Sequence, residues 1–252
     1  MNKSTSLSLI TTLFLALLGN PLAQAACADP PAPKVNWKGC DKTGADLSGA
    51  DLQSAVLDNI NLAGANLSKA NLRGSYLNNA NLNHANLEKA RLIEATLVGA
   101  NLAQANLEKV LAKAAKFDRA DLSKTNLNGA FLEETSFYDA RLTGATLIKA
   151  NLNKAVMEHV NLSQADLSFS SMVETKLSRA NLEDAVLKGA NLEKAQLDRS
   201  FLVNADLSET NLSRANLTEA EMINTDTTGA KLDYTTWNDR HRCRSGSVGQ
   251  CN

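Results

Sequence analysis

The chain repeats itself every five residues, and that period restricts its fold more than any other feature. From residue 39 to 239 the unit Ala-Asn/Asp-Leu-x-x runs without a frame shift, as in Ala65-Asn66-Leu67-Ser68-Lys69. Leu fills 31 of the 39 central positions from Leu47 to Trp237, and Ala fills 27 of the 39 positions two residues earlier, so two places in five are apolar throughout. Five matches neither the 3.6-residue helix nor the two-residue alternation of a strand. A helix would spread these leucines around its circumference, and a flat strand would turn alternate ones into water. A chain that turns a corner once per unit keeps the central residue and the small residue before it inside. Gly64, Gly99, Gly144 and Gly189 are among nine glycines two residues after a centre, where a turn that needs positive φ belongs. The prolines, Pro21, Pro30, Pro31 and Pro33, all precede the repeats, as expected of a residue that cannot donate to a backbone ladder.

A second period sets the number of corners. In three of every four registers the residue before the centre is Asn or Asp in 20 of 30 units. In the fourth, Val56, Tyr76, Thr96 and onward to Thr236, it is so once in ten. One coil is therefore twenty residues long and has four sides. Trp37 and Trp237 lie 200 residues apart and fall in one column. With coils stacked at about 4.8 Å, the rod is about 45–50 Å long.

On these residues the chain resembles the pentapeptide repeat proteins, and the resemblance covers residues 39–239. It implies an all-β fold, a right-handed quadrilateral parallel β-helix of about ten coils, with the handedness supplied by the family. It implies no single activity: most members have no assigned role, and a minority bind DNA gyrase as mimics of duplex DNA.

The ends differ from the middle. Residues 1–25 read as a cleaved signal peptide, with Lys3, an apolar run from Leu7 to Leu18, and Ala23-Gln24-Ala25 as the cleavage site. The run is too short to span a bilayer and no other follows, so the mature chain is expected in the periplasm or secreted, without a membrane span. Gln24 stands where a lipid-attachment motif wants an aliphatic residue, which disfavours a lipid on Cys27. Removing residues 1–25 takes away Lys3 and no acid, leaving 25 basic against 27 acidic residues, a net charge of −2. That balance selects neither nucleic acid nor an anionic membrane. Residues 26–38 form a proline-rich cap, and residues 240–252 a C-terminal cap made basic by Arg240, Arg242 and Arg244. Of the three ways to pair Cys27, Cys40, Cys243 and Cys251, two would tie ends more than about 40 Å apart. A disulfide holds its Cα atoms within about 7 Å, so Cys27–Cys40 and Cys243–Cys251 are the expected pairs, formed in an oxidising compartment.

Departures from the pattern supply the candidate sites. Ala112 replaces a central Leu and Phe117 follows in the same coil, which reads as volume compensation, with Phe137, Met157 and Met172 as further fillers. The side without the Asn ladder carries Val56, Tyr76, Val98, Lys116, Tyr138, Val156 and Lys176, a β face that also offers a protein-binding surface. A second patch on another side joins Ile93, Leu111 and Phe131. Lys69, Lys89 and Lys109 stack beside Glu88 and Glu108 as a mixed charge surface, and Asp206 and Asp226 stack as two solvated acids. His84, His159 and His241 have no spacing partner that resembles a zinc motif or a triad, and convex sides over a filled interior offer no concave site. No enzyme activity, cofactor or metal is expected. The sequence points to a structural or protein-interaction module with an unidentified protein partner. A passive envelope or stress-tolerance protein is the alternative; the near-neutral charge and export signal disfavour a gyrase-binding mimic.

Overall fold

The computed structural model describes residues 26–252, so the signal-peptide segment 1–25 lies outside the described residues. Every bridge between coils joins residue i to residue i+20 in parallel, and the bridges form four unbroken columns. We name the walls by these columns: wall I from Asn36 to Thr236, wall II from Asp41 to Glu221, wall III from Asp46 to Asp226, and wall IV from Asp51 to Lys231. Each wall contributes one bridge residue per coil, and each corner is a tight turn. Trp37 and Trp237 both stand on wall I, the first fully buried and the second half-buried.

The five-residue unit follows from its hydrogen bonds. Asn61 N–H donates back to Cys40 O at 2.9 Å, while Leu62 N–H donates forward to Asn81 O at 2.7 Å. Ala65 N–H closes the turn on Leu62 O at 3.0 Å, and Gly64 N–H reaches forward to Asn83 O at 2.8 Å. Four of the five amides are thus met by backbone. The fifth, on the residue after the centre, is met by a side chain: Ala63 N–H donates to Asn61 Oδ1 at 3.3 Å. A buried or half-buried amide needs a partner, and an Asn or Asp two residues earlier supplies one without moving the chain. The Asn/Asp preference before the centre has this cause.

The asparagines also bond to one another in one direction. On wall III the Nδ2 groups of Asn66, Asn86, Asn106 and Asn126 each donate to Oδ1 of the residue twenty earlier, ending on Asp46. An Asn on the first rung would have no acceptor below it, whereas Asp is an acceptor only. Asp46 and Asp51 occupy that rung and accept from Asn66 at 3.1 Å and Asn71 at 2.8 Å. With Asp41 they ring the N-terminal edge, whose outward backbone groups no described residue pairs with. Carboxylates there discourage another strand from adding to the edge.

At three rungs of wall I the capping role moves. Asp58, Asn78 and Asp118, which follow the centre, accept the amides of Asn78, Val98 and Tyr138 one coil later at 3.0, 3.1 and 3.2 Å. The bridge positions of those three rungs, Tyr76, Thr96 and Ser136, are freed from that duty, whereas Asn36 and Asn216 on the same wall still cap the amides of Lys38 and Thr218.

The lumen is apolar and filled. The central leucines are fully buried, as are Ala112, Phe117, Phe137, Met157 and Met172, and the Phe117 and Phe137 rings stack at 5.2 Å. Each buried Leu contributes roughly 1.5–3 kcal/mol. Thr at the small position keeps its hydroxyl satisfied on a backbone carbonyl: Thr125, Thr135 and Thr175 donate to Leu102 O, Ala112 O and Leu152 O of the coil below, each at 2.9 Å, and Thr210 to Leu207 O of its own turn.

Each end carries a terminal segment closed by a disulfide. The coil begins inside the stretch read as a cap, because Lys34 N–H and Trp37 N–H already donate to Gln53 O and Val56 O. Cys27 is bonded to Cys40, with Cα atoms 5.5 Å apart. The tail folds back antiparallel on the last coil, pairing Lys231 with Val248 and Thr236 with Arg242. It meets the forward-pointing groups that a further coil would have met: Leu232 N–H donates to Ser247 O and Trp237 N–H to His241 O. Cys243 is bonded to Cys251, with Cα atoms 5.0 Å apart.

Candidate docking wall

The structure sets Val56, Tyr76, Lys116, Val156 and Lys176 in the single bridge column of wall I, with Val98 and Tyr138 beside it. Tyr76 and Tyr138 are 48% and 44% exposed, and Val56 and Val156 are half-buried. The two tyrosines do not touch: three rungs separate them, about 14 Å, with Thr96 and Lys116 between. Wall I is a polar strip with two aromatic anchors, not one apolar patch.

Tyr138 has the richer surroundings. Its ring meets His159 edge-on at 5.6 Å, and its amide is fixed by Asp118, which also accepts from the Ser136 hydroxyl. Around the corner towards wall II lies a depression of about 300 Å³ lined by Arg119, Asp121, Asp139, Arg141 and His159. Arg141 approaches Asp121 at 3.9 Å, and both are largely exposed, so the pair contributes little to stability. Arg119, Asp139 and His159 occupy successive corners twenty residues apart, as do Asp121 and Arg141 on the adjoining bridges. Sequence reasoning passed over this convergence, although sorting the charged residues by their place in the twenty-residue coil would have found it.

The second patch lies on wall IV. Leu111 and Phe131 are bridge partners, Phe131 is 51% exposed, and Ile93 is half-buried beside the preceding rung. Lys113, 3.4 Å from Glu133 and 3.5 Å from Glu134, flanks it with charge. Apolar side chains absent from the sequence-derived sites are also exposed: Phe169, Val186, Phe201, Ile223 and Val248.

Two of the three stacked lysines are paired locally. Lys89 pairs with Glu88 at 2.6 Å and Lys109 with Glu108 at 2.8 Å; the Lys89 contact holds Glu88 below the usual carboxylate range. Asp206 and Asp226 accept the amides of Ser208 and Thr228, each at 2.8 Å, and the Thr228 hydroxyl is the first cause of a lowered Asp226. His84 and His159 sit on corners of different walls and His241 in the tail. Among the described residues no helix is long and apolar enough to cross a membrane.

A stack of four-walled coils with Leu inside and Asn at the bridges defines a repeat solenoid. The pentapeptide repeat model matches in eight copies between residues 45 and 110 and between 115 and 233, and the chain belongs to the pentapeptide repeat family, whose fold is the right-handed quadrilateral β-helix. Its family is one of generally non-catalytic solenoids. The chain is similar to HetL of the cyanobacterium Nostoc sp. strain PCC 7120, a pentapeptide repeat protein involved in heterocyst differentiation regulation. Identity is 29%, coverage 89% of this chain and 98% of HetL, and the TM-score 0.70. It is also similar in fold to QnrB1, a plasmid-mediated fluoroquinolone resistance protein, at 18% identity, with 79% of this chain and 89% of QnrB1 covered and a TM-score of 0.50. No curated protein sequence matches the chain.

Proposed function

We propose that this chain is an exported, non-catalytic solenoid that docks a protein partner on wall I. The observation that carries this reading is Tyr138, exposed on a rigid wall beside Arg119, Arg141 and His159. Tyr and Arg are the residue types that dominate binding energy at protein interfaces, and here the backbone beneath them is locked by the inter-coil ladder. Tyr76, about 14 Å along the same wall, falls within the footprint of a standard interface. Export is supported by two disulfides and by the character of residues 1–25.

The reading is tested by capture from periplasmic extract on immobilised protein, wild type against the Tyr76→Glu/Tyr138→Glu and Arg119→Glu variants. Wild type should retain a reproducible set of proteins that the variants lose, with circular dichroism unchanged. Equal capture by all three, or no reproducible capture by wild type, contradicts it.

A further inference from the structure

The C-terminal tail brings together three side chains of the kind that bind soft divalent metals. A ring nitrogen of His241 and the Sγ atoms of Cys243 and Cys251 all lie within 4.8 Å of one another, the one such trio among the described residues. In the oxidised protein the two sulfurs are bonded to each other and the trio is no site. Backbone contacts besides that bond also hold the tail in place: Leu232 N–H to Ser247 O, Trp237 N–H to His241 O, Cys243 N–H to Thr235 O and Gly249 N–H to Ala230 O, all between 2.8 and 2.9 Å. Asp239 accepts the His241 amide at 3.1 Å and pairs with ring Nδ1. A carboxylate behind one imidazole nitrogen is the usual device that orients a ligating histidine through the other. Cys243 is buried, Cys251 half-buried and His241 exposed, so one side of the trio opens to water.

We propose that reduction of the Cys243–Cys251 disulfide turns the C-terminal cap into a zinc site, with His241, Cys243 and Cys251 as ligands and Asp239 positioning His241. A phosphine gives two electrons to the disulfide and leaves as its oxide with the oxygen of one water, whose two protons go to the two sulfurs. A dithiol does the same by closing to its own disulfide and passing on its two protons. Zinc then displaces both protons as it binds the thiolates and takes His241 through Nε2. Two thiolates and one imidazole with water in the fourth position are a donor set that tetrahedral zinc accepts. The disulfide and the metal are then alternative staples for the same cap, one for oxidising and one for reducing surroundings. Among the described residues the Cys27–Cys40 bridge has no such neighbour, and it serves as an internal control.

The test is anaerobic titration of the phosphine-reduced full chain with Co²⁺, followed by displacement with Zn²⁺. One equivalent of Co²⁺ should bind with thiolate-to-cobalt absorption in the near ultraviolet, and the unreduced protein should show none. His241→Ala should weaken binding at least about tenfold and Asp239→Asn about tenfold. Cys27→Ser/Cys40→Ser should bind as wild type. Amide exchange at Leu232 and Gly249 reads whether the tail stays docked after reduction, as the proposal requires. A reduced wild type without the thiolate band, an undocked tail, or a His241→Ala variant of undiminished affinity would each overturn it.

Discussion

At single residues the corners hold the surprise. Glycine marked only some of them in the sequence, yet corner after corner takes positive φ with a bulky side chain: Glu134 at 59°, Lys149 at 58°, Arg179 at 58°. A non-glycine residue in that region carries a penalty of about 1–2 kcal/mol. The turn bond on one side and the forward bond to the next coil on the other hold it there, as Lys149 N–H does to Ser168 O at 3.0 Å. Sequence preference reveals such a corner only where glycine sits; elsewhere the tertiary ladder overrides it. Lys149→Gly should therefore stabilise the protein, by about 0.5–1 kcal/mol after allowing for the freer unfolded chain. An unchanged or lower midpoint in urea unfolding would show that the strain at the corner does not exceed the cost of the freer unfolded chain.

At the level of elements, the Asn ladder and the C-terminal cap differ in how plainly the sequence announced them. The ladder was legible because it recurs every twenty residues; its direction was not, since only the placed Nδ2 groups show why Asp46 and Asp51 stand at the bottom. Asn106 donates to Asn86 at 3.2 Å, accepts from Asn126 at 3.1 Å, and caps Glu108 N–H at 3.1 Å. Asn106→Ala should cost about 1–3 kcal/mol, because a half-buried amide loses its partner as well as the ladder its rung. Calorimetry of the variant measures it. The tail has no period, so its antiparallel return was unreadable beforehand. Glu219 helps hold it, with Arg199 and then Arg240 keeping that carboxyl below its usual 4.5. A depressed folded-state value means the contact contributes fully above the unfolded value and is lost as pH falls through the folded one. Amide exchange in residues 241–250 should accelerate below about pH 4.5, modestly since the groups are exposed, and Glu219→Gln should flatten that dependence.

For the whole molecule, one number organises the rest: neighbours in space are twenty residues apart in the chain. It was legible from the contrast between Tyr76 or Lys116 and the Asn-bearing registers. It also orders the docking wall, setting Tyr138 beside His159 and Arg119 beneath Asp139. Which corner charges converge on a depression depends on side-chain reach, and that part of the site needed coordinates. The spacing itself is open to direct measurement by double electron–electron resonance between nitroxides at Asn59→Cys and Arg179→Cys, both on exposed wall I corners. Six coils of twenty residues at about 4.8 Å predict a narrow distribution near about 29 Å. A peak near about 38 Å, the value for eight three-sided coils of fifteen residues, or a broad distribution would contradict the four-walled stack.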